Sequence, residues 1–181
     1  AGSTTDNDII IRNTSIDIFS QQLGTAVAQW LNKRQAPQTL PHTERAPHVL
    51  VAEDIPTNRF IIQAMLESLG IDPVMCENGK QACTLYHQHL AAGTPFDAIL
   101  MDCEMPVMDG FAATRRIRQF EAQQGLRPLP VVALTAHVLP EYQQRCLECG
   151  MDDYLAKPIQ MRVLSAVLER CWGKPSGTSG A

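Results

Sequence analysis

The feature that most restricts what this chain can fold into is a fivefold repeat between His48 and Trp172, in which each short apolar run is followed by a stretch with helical spacing. Val49-Leu50-Val51-Ala52 reads as a buried strand, and Pro56 to Leu69 as a helix with apolar positions Phe60, Ile61, Ala64, Met65 and Leu69, stopped by Gly70. Pro73 to Cys76 is a second, weaker strand, and Asn78 caps a helix running to Ala92. Phe96 to Met101 is the third strand, followed by a helix from Gly110 to Gln124. Val131 to Leu134, a helix from Pro140 to Cys149 stopped by Gly150, Tyr154 to Ala156, and a helix from Ile159 to Cys171 complete the series. Runs this apolar suit strands covered on both faces. Their alternation with helices of roughly ten to fifteen residues calls for a doubly wound, five-stranded parallel α/β sheet with right-handed crossovers.

A parallel sheet gathers the carboxyl ends of its strands on one rim, where open α/β proteins carry their chemistry. Here the first strand ends in Glu53-Asp54, the third in Asp102, the fourth in Thr135, and the fifth leads to Lys157-Pro158. Singly, each has a plain structural reading: a turn-capping acid, a solvated loop, a β-favouring strand end, a surface charge. Jointly they form a set with one chemistry. Three carboxylates brought together repel unless a hard cation joins them, and an oxygen cage with open positions suits Mg²⁺. With Asp102 as nucleophile and Thr135 and Lys157 donating to the remaining oxygens, such a site holds a phosphoryl group.

Composition narrows the partners. The chain has 181 residues and a formal net charge of −4, with its Lys and Arg scattered, so a nucleic-acid footprint is not expected. No apolar stretch is long enough to span a membrane. The six cysteines lack framework spacing and read as reduced and cytosolic; Cys146-Leu147-Glu148-Cys149 matches C-x-x-C but falls late in a helix, without a second pair to complete a zinc site. Residues 1–8 and the Gly- and Ser-rich 173–181 are expected to be disordered, 9–34 to form a strand-helix extension, and the proline-bearing 35–47 to be a linker. The extension is similar to the fifth strand and last helix of the 48–172 pattern, as the end of a preceding domain of that kind would be, although Arg12-Asn13 stand where Lys-Pro would fall.

The segment 48–172 resembles a response-regulator receiver domain of two-component signalling, of the type found in hybrid sensor histidine kinases. The likeness rests on the rim residues above, on the turn Met105-Pro106-Val107-Met108-Asp109-Gly110, and on Ala133-Leu134-Thr135-Ala136-His137. It implies a flavodoxin-like (βα)5 fold with Asp102 as phospho-acceptor and Mg²⁺ as cofactor. Asp54, Asp102 and the backbone carbonyl of Glu104 are then metal ligands, with Glu53 acting through water. It further implies that Thr135 and Tyr154 act as the switch, that Lys157 neutralises the phosphoryl oxygens and precedes a cis proline, and that Glu104 and His137 flank the water route and tune dephosphorylation. The receiver would catalyse its own phosphorylation and dephosphorylation. Its partners would be a histidine kinase dimerisation and phospho-acceptor domain or a histidine phosphotransfer protein. These would dock around Ile55, Pro56, the outward face of the first helix including Arg59, and Pro158-Ile159. The expected compartment is the cytoplasm, which a membrane-anchored parent kinase also satisfies.

Two other readings fit parts of the pattern. A free-standing single-domain regulator would carry the same site, but no output domain follows, which favours a receiver cut from a hybrid kinase. The order Asp102, Thr135, Lys157 also resembles haloacid-dehalogenase-like phosphatases. Those, however, carry a second Asp where this chain has Glu104, and an acidic pair after the lysine, whereas Asp152-Asp153 precede it.

Overall fold

The structure, a computed structural model, describes residues 46–136 and 139–172. The strand-helix extension expected at 9–34, nearly all of the linker and the 173–181 tail lie outside the described residues. Within them, β1 (Val49–Ala52), β2 (Val74–Cys76), β3 (Ala98–Asp102), β4 (Val131–Thr135) and β5 (Asp153–Ala156) alternate with α1 (Pro56–Ser68), α2 (Gly79–Ala91), α3 (Gly110–Gln124), α4 (Pro140–Cys149) and α5 (Met161–Trp172). The strands form one parallel sheet in the order β2-β1-β3-β4-β5. This is the doubly wound architecture expected from the alternation.

Every residue of β1, β3 and β4 is buried, as runs without polar alternation require. Successive side chains serve opposite faces. Leu50, Ile99, Met101 and Ala133 join Tyr86, Phe111, Ile117 and Cys146 under α2, α3 and α4. Val51, Leu100, Val132 and Leu134 join Ile62, Leu66, Leu164 and Leu168 under α1 and α5. Two apolar layers thus clamp the sheet and fix its rim.

The helix ends follow local chemistry. Gly70 adopts a left-handed φ of 76° after α1, and the Ile71 N–H returns to the Leu66 carbonyl at 3.0 Å, closing the helix while both side chains enter the core. The Asn78 side chain caps α2 by accepting from the Gln81 N–H, as expected. Several boundaries differ from the sequence reading. Pairing on β3 begins at Ala98, because Asp97 is already bound to His48 through both backbone and side chain. β4 runs one residue further, to Thr135, and β5 begins one earlier, at Asp153. α5 begins at Met161, where the Gln160 carbonyl takes the first helical bonds.

The face of α1 is a correction. Phe60, Ile61 and Leu69 are exposed and Met65 is half-buried, while Ile62 and Leu66 fill the core. A helix crowded with apolar residues offers two plausible stripes, and the one that meets Val49, Val51 and Leu100 is set by how α1 leaves β1.

Candidate functional site

Glu53, Asp54 and Asp102 converge at the carboxyl rim of β1 and β3, each offering an oxygen within 4.8 Å of the others. Glu53 is fully buried, and its Oε1 accepts from Asn58 Nδ2 at 3.0 Å. Asp102 is buried at the end of the central strand, with Oδ1 accepting from the Glu104 N–H at 3.2 Å. Lys157 arrives from the end of β5 through the cis Lys157–Pro158 bond. Its Nζ lies 2.6 Å from Asp102 Oδ2 and 2.7 Å from Glu53 Oε2. The contact with Asp102 is a directed hydrogen bond. That with Glu53 is an ion pair that brings the ammonium almost equally close to the buried Oε2.

Electrostatics follow from this packing. Burial pushes the Asp102 carboxyl up to about 6 from its ordinary 3.8, with Lys157 opposing and the Glu53 charge adding to the rise. Burial also works against the Lys157 charge, but the Asp102 and Glu53 carboxylates outweigh it and hold the ammonium above the ordinary lysine range. With all three acids ionised, one ammonium leaves two negative charges in the cleft. Three hard oxygen donors within reach of one another and a double negative charge fit a divalent, oxygen-seeking cation.

The backbone holds these groups in place. Arg59 was expected on the docking face. Instead its guanidinium folds back to the Glu53 and Asp54 carbonyls at 2.9 and 3.2 Å and to Glu77 at 3.0 Å, fixing the acidic loop. The Asp109 side chain caps α3, and the Gly110 N–H donates to the Cys103 carbonyl at 3.1 Å. A Cβ on Gly110 would collide with the Asp102 backbone carbonyl, so only glycine fits there. Between them Val107 is held at φ 67°, a strained setting for a β-branched residue.

Thr135 is buried at the end of β4, and its carbonyl accepts from the Lys157 N–H at 2.8 Å. The Tyr154 hydroxyl accepts from Gln143 on α4 at 3.1 Å. His137 lies outside the described residues. Two contacts of α4 were not foreseen from sequence. The Tyr142 hydroxyl donates to Glu104 Oε1 at 3.2 Å, and the Arg145 guanidinium sits 4.5 Å from the Phe111 ring centroid. Glu104, Phe111 and Arg145 from these contacts line a cleft of about 380 Å³ that also takes in Asp54 and Met105. Nothing in local spacing announces a contact made across 38 residues.

A doubly wound sheet with a lysine paired to clustered carboxylates at its switch-point rim defines a flavodoxin-like α/β module with an acidic, cation-ready cleft. The chain belongs to the response regulator receiver domain family, whose model matches residues 49–169. The sensor protein GacS of Pseudomonas syringae pv. syringae is 42% identical over 133 residues, 74% of this chain. The chain spans 14% to 16% of the length of the GacS relatives it matches. The receiver domain of sensor histidine kinase PA1611 from Pseudomonas aeruginosa PAO1, solved with a magnesium ion coordinated in its active site cleft, superposes with a TM-score of 0.62 at 41% identity, covering 72% of this chain and 100% of that one. A chain of the co-crystal structure of the Saccharomyces cerevisiae histidine phosphotransfer signalling protein Ypd1 and the receiver domain of the response regulator Ssk1 matches with a TM-score of 0.63 at 30% identity, covering 68% and 87%. Among the described residues no helix is long and apolar enough to cross a membrane.

Proposed function

We propose that this chain is the phospho-acceptor receiver of a hybrid sensor histidine kinase, taking a phosphoryl group from phosphohistidine onto Asp102 and relaying it to a histidine phosphotransfer partner. The observation that carries the reading is Asp102 itself, buried at the end of the central strand, 2.6 Å from Lys157 Nζ and beside Glu53 and Asp54. An Asp102 oxygen forms the new O–P bond while the P–N bond breaks, and the imidazole leaves with the electron pair and takes up a proton. Lys157 balances charge on the transferred oxygens, and Thr135 donates its hydroxyl to one of them. Asp54, Asp102 and the Glu104 carbonyl would hold Mg²⁺, with Glu53 acting through water, and the bound ion would supply neutralisation of the phosphoryl charge. Glu104 and His137 tune the lifetime of the product, and Thr135 with Tyr154 couples it to the α4 side of the fold. The working compartment is the cytoplasm, consistent with six free cysteines.

The test is labelling of the full chain with acetyl phosphate and Mg²⁺, followed by peptide mapping of the modified residue. Asp102→Asn should abolish labelling, since an amide is neither nucleophile nor metal ligand. Undiminished labelling at another residue overturns the assignment. Asp54→Ala should remove the rise in thermal stability that Mg²⁺ produces in the native chain. An unchanged Mg²⁺ response in that variant puts the metal elsewhere.

A further inference from the structure

Directly after the acceptor, Cys103 is buried, with its N–H bonded to the Leu134 carbonyl at 3.0 Å and its own carbonyl to the Gly110 N–H. Its sulfur stands 4.0 Å from that of Cys146 on α4, also buried. The other buried thiols behave differently. Cys76, Cys83 and Cys149 direct their S–H groups to backbone carbonyls, Cys149 to that of Cys146 at 3.1 Å. The C-x-x-C pair is therefore split: one sulfur faces its own helix and the other faces β3.

Closing a 4.0 Å gap to a disulfide requires the sulfurs to approach by about 2 Å, a movement shared between two side chains and a short helix. The cleft beside the acidic site is lined by Cys103 of this pair and by Arg145, the residue before Cys146. The contact with the Cys103 thiol, helped to a lesser extent by the Arg145 charge, outweighs burial and lowers the Cys146 thiol below its ordinary value, which favours the thiolate, the form that attacks peroxide.

We propose that Cys103 and Cys146 are an oxidation site for hydroperoxides, forming a reversible disulfide that ties α4 to the strand end carrying Asp102. The Cys146 thiolate attacks hydrogen peroxide, the O–O bond breaks, and hydroxide leaves to take up a proton, giving Cys146 sulfenic acid and water. The Cys103 sulfur then displaces the sulfenic oxygen as a second water, its thiol proton going to that leaving group. Both sulfurs are oxidised by one electron each, and one peroxide is reduced to two waters. α4 also carries Tyr142, bound to Glu104, and Gln143, bound to Tyr154, so a helix drawn onto β3 shifts both contacts. Resting on the reading of Asp102 as acceptor, the disulfide slows phosphoryl uptake by displacing the α4 contacts to Glu104 and Tyr154 beside the acceptor.

The full chain, reduced and then treated with hydrogen peroxide, is digested without reductant and mapped by mass spectrometry. The expected product is a peptide pair joined through Cys103 and Cys146, separable by dithiothreitol, absent in Cys146→Ala and retained in Cys149→Ala. A Cys146–Cys149 link in its place, or no link at all, overturns the site. If Cys146→Ala does not fold, retention of the link in Cys149→Ala carries the same decision. In parallel, acetyl phosphate labelling should fall several-fold on oxidation and recover with dithiothreitol. Linked protein that labels at the reduced rate overturns the modulation and leaves the acceptor intact. Reduced protein that never labels at Asp102 overturns the acceptor reading, while peptide mapping still decides the thiol pair.

Discussion

Asp102 lies under opposing influences, and their balance has a measurable sign. Burial raises its carboxyl to about 6, above the ordinary 3.8, even with Lys157 at hydrogen-bond distance. Between those values the folded chain holds a proton that the unfolded chain has lost, so stability falls as pH rises through the window and is level above it. In the presence of a chelator, the free energy of unfolding should decline by about 2 to 3 kcal/mol between pH ~4 and ~6. Asp102→Asn should remove most of that slope in urea titrations; a slope unchanged in the variant assigns it to another group. Val107 offers a second test at this scale. It is exposed and strained at φ 67°, so Val107→Gly should gain about 1 kcal/mol by relieving the left-handed conformation, and a loss would mean its side chain has a packing role. The acids and the lysine were legible in the sequence because a parallel sheet leaves no choice of rim for strand ends. Their pairings were not. That Lys157 would bridge Asp102 and Glu53, or that Arg59 would turn back onto two carbonyls, depends on side-chain reach across the sheet.

At the scale of elements, α3 is fastened at both ends. Its first turn presses Gly110 against the end of β3, and further along Arg118 makes 2.7 Å ion pairs with Glu121 and Asp152 and donates to the Gly150 carbonyl at 2.9 Å. Glu121 is almost completely buried, accepting also from Tyr86 and from the Leu129 N–H. This network joins α2, α3, the start of β4 and the end of α4 at the edge of the sheet opposite the acidic cleft. Arg118→Ala leaves a buried carboxylate without its cation and should cost about 3 kcal/mol in chemical denaturation, with Asp102 labelling preserved in the folded fraction. A cost below about 1 kcal/mol would mean that Tyr86 and Leu129 suffice to hold the Glu121 charge. Strands and helix ends were readable from apolar runs and from Gly70, Asn78 and Gly150. The inward face of α1 was not, because Phe60-Ile61-Ile62 supports more than one helical phase and only the angle at which the helix meets the sheet selects Ile62 and Leu66.

That phase has a consequence for the whole molecule. By turning Phe60 and Ile61 outward, 74% and 44% exposed, α1 adds apolar surface to that of exposed Ile55, the residue that follows the acidic Glu53-Asp54 and stands at the N-cap of the helix. A monomer gains nothing from exposing a phenyl ring there, and apolar surface next to a reactive site marks a place where another protein sits. On the proposed reading, a phosphohistidine protein brings its imidazole to Asp102 from the carboxyl rim of the sheet, because the two apolar layers cover its faces. Docking energy concentrates in a few aromatic anchors, and Phe60 is the aromatic residue on this face. Phe60→Ala should therefore slow transfer from a phosphorylated histidine phosphotransfer protein by about tenfold, equivalent to ~1.4 kcal/mol of binding. Acetyl phosphate needs no docking surface, so its rate of labelling should stay at the native value, as should the melting temperature, since the ring contributes little to the core. An equal loss with both donors would place the effect inside the acidic cleft. No loss with either would move the docking surface to another face of the sheet.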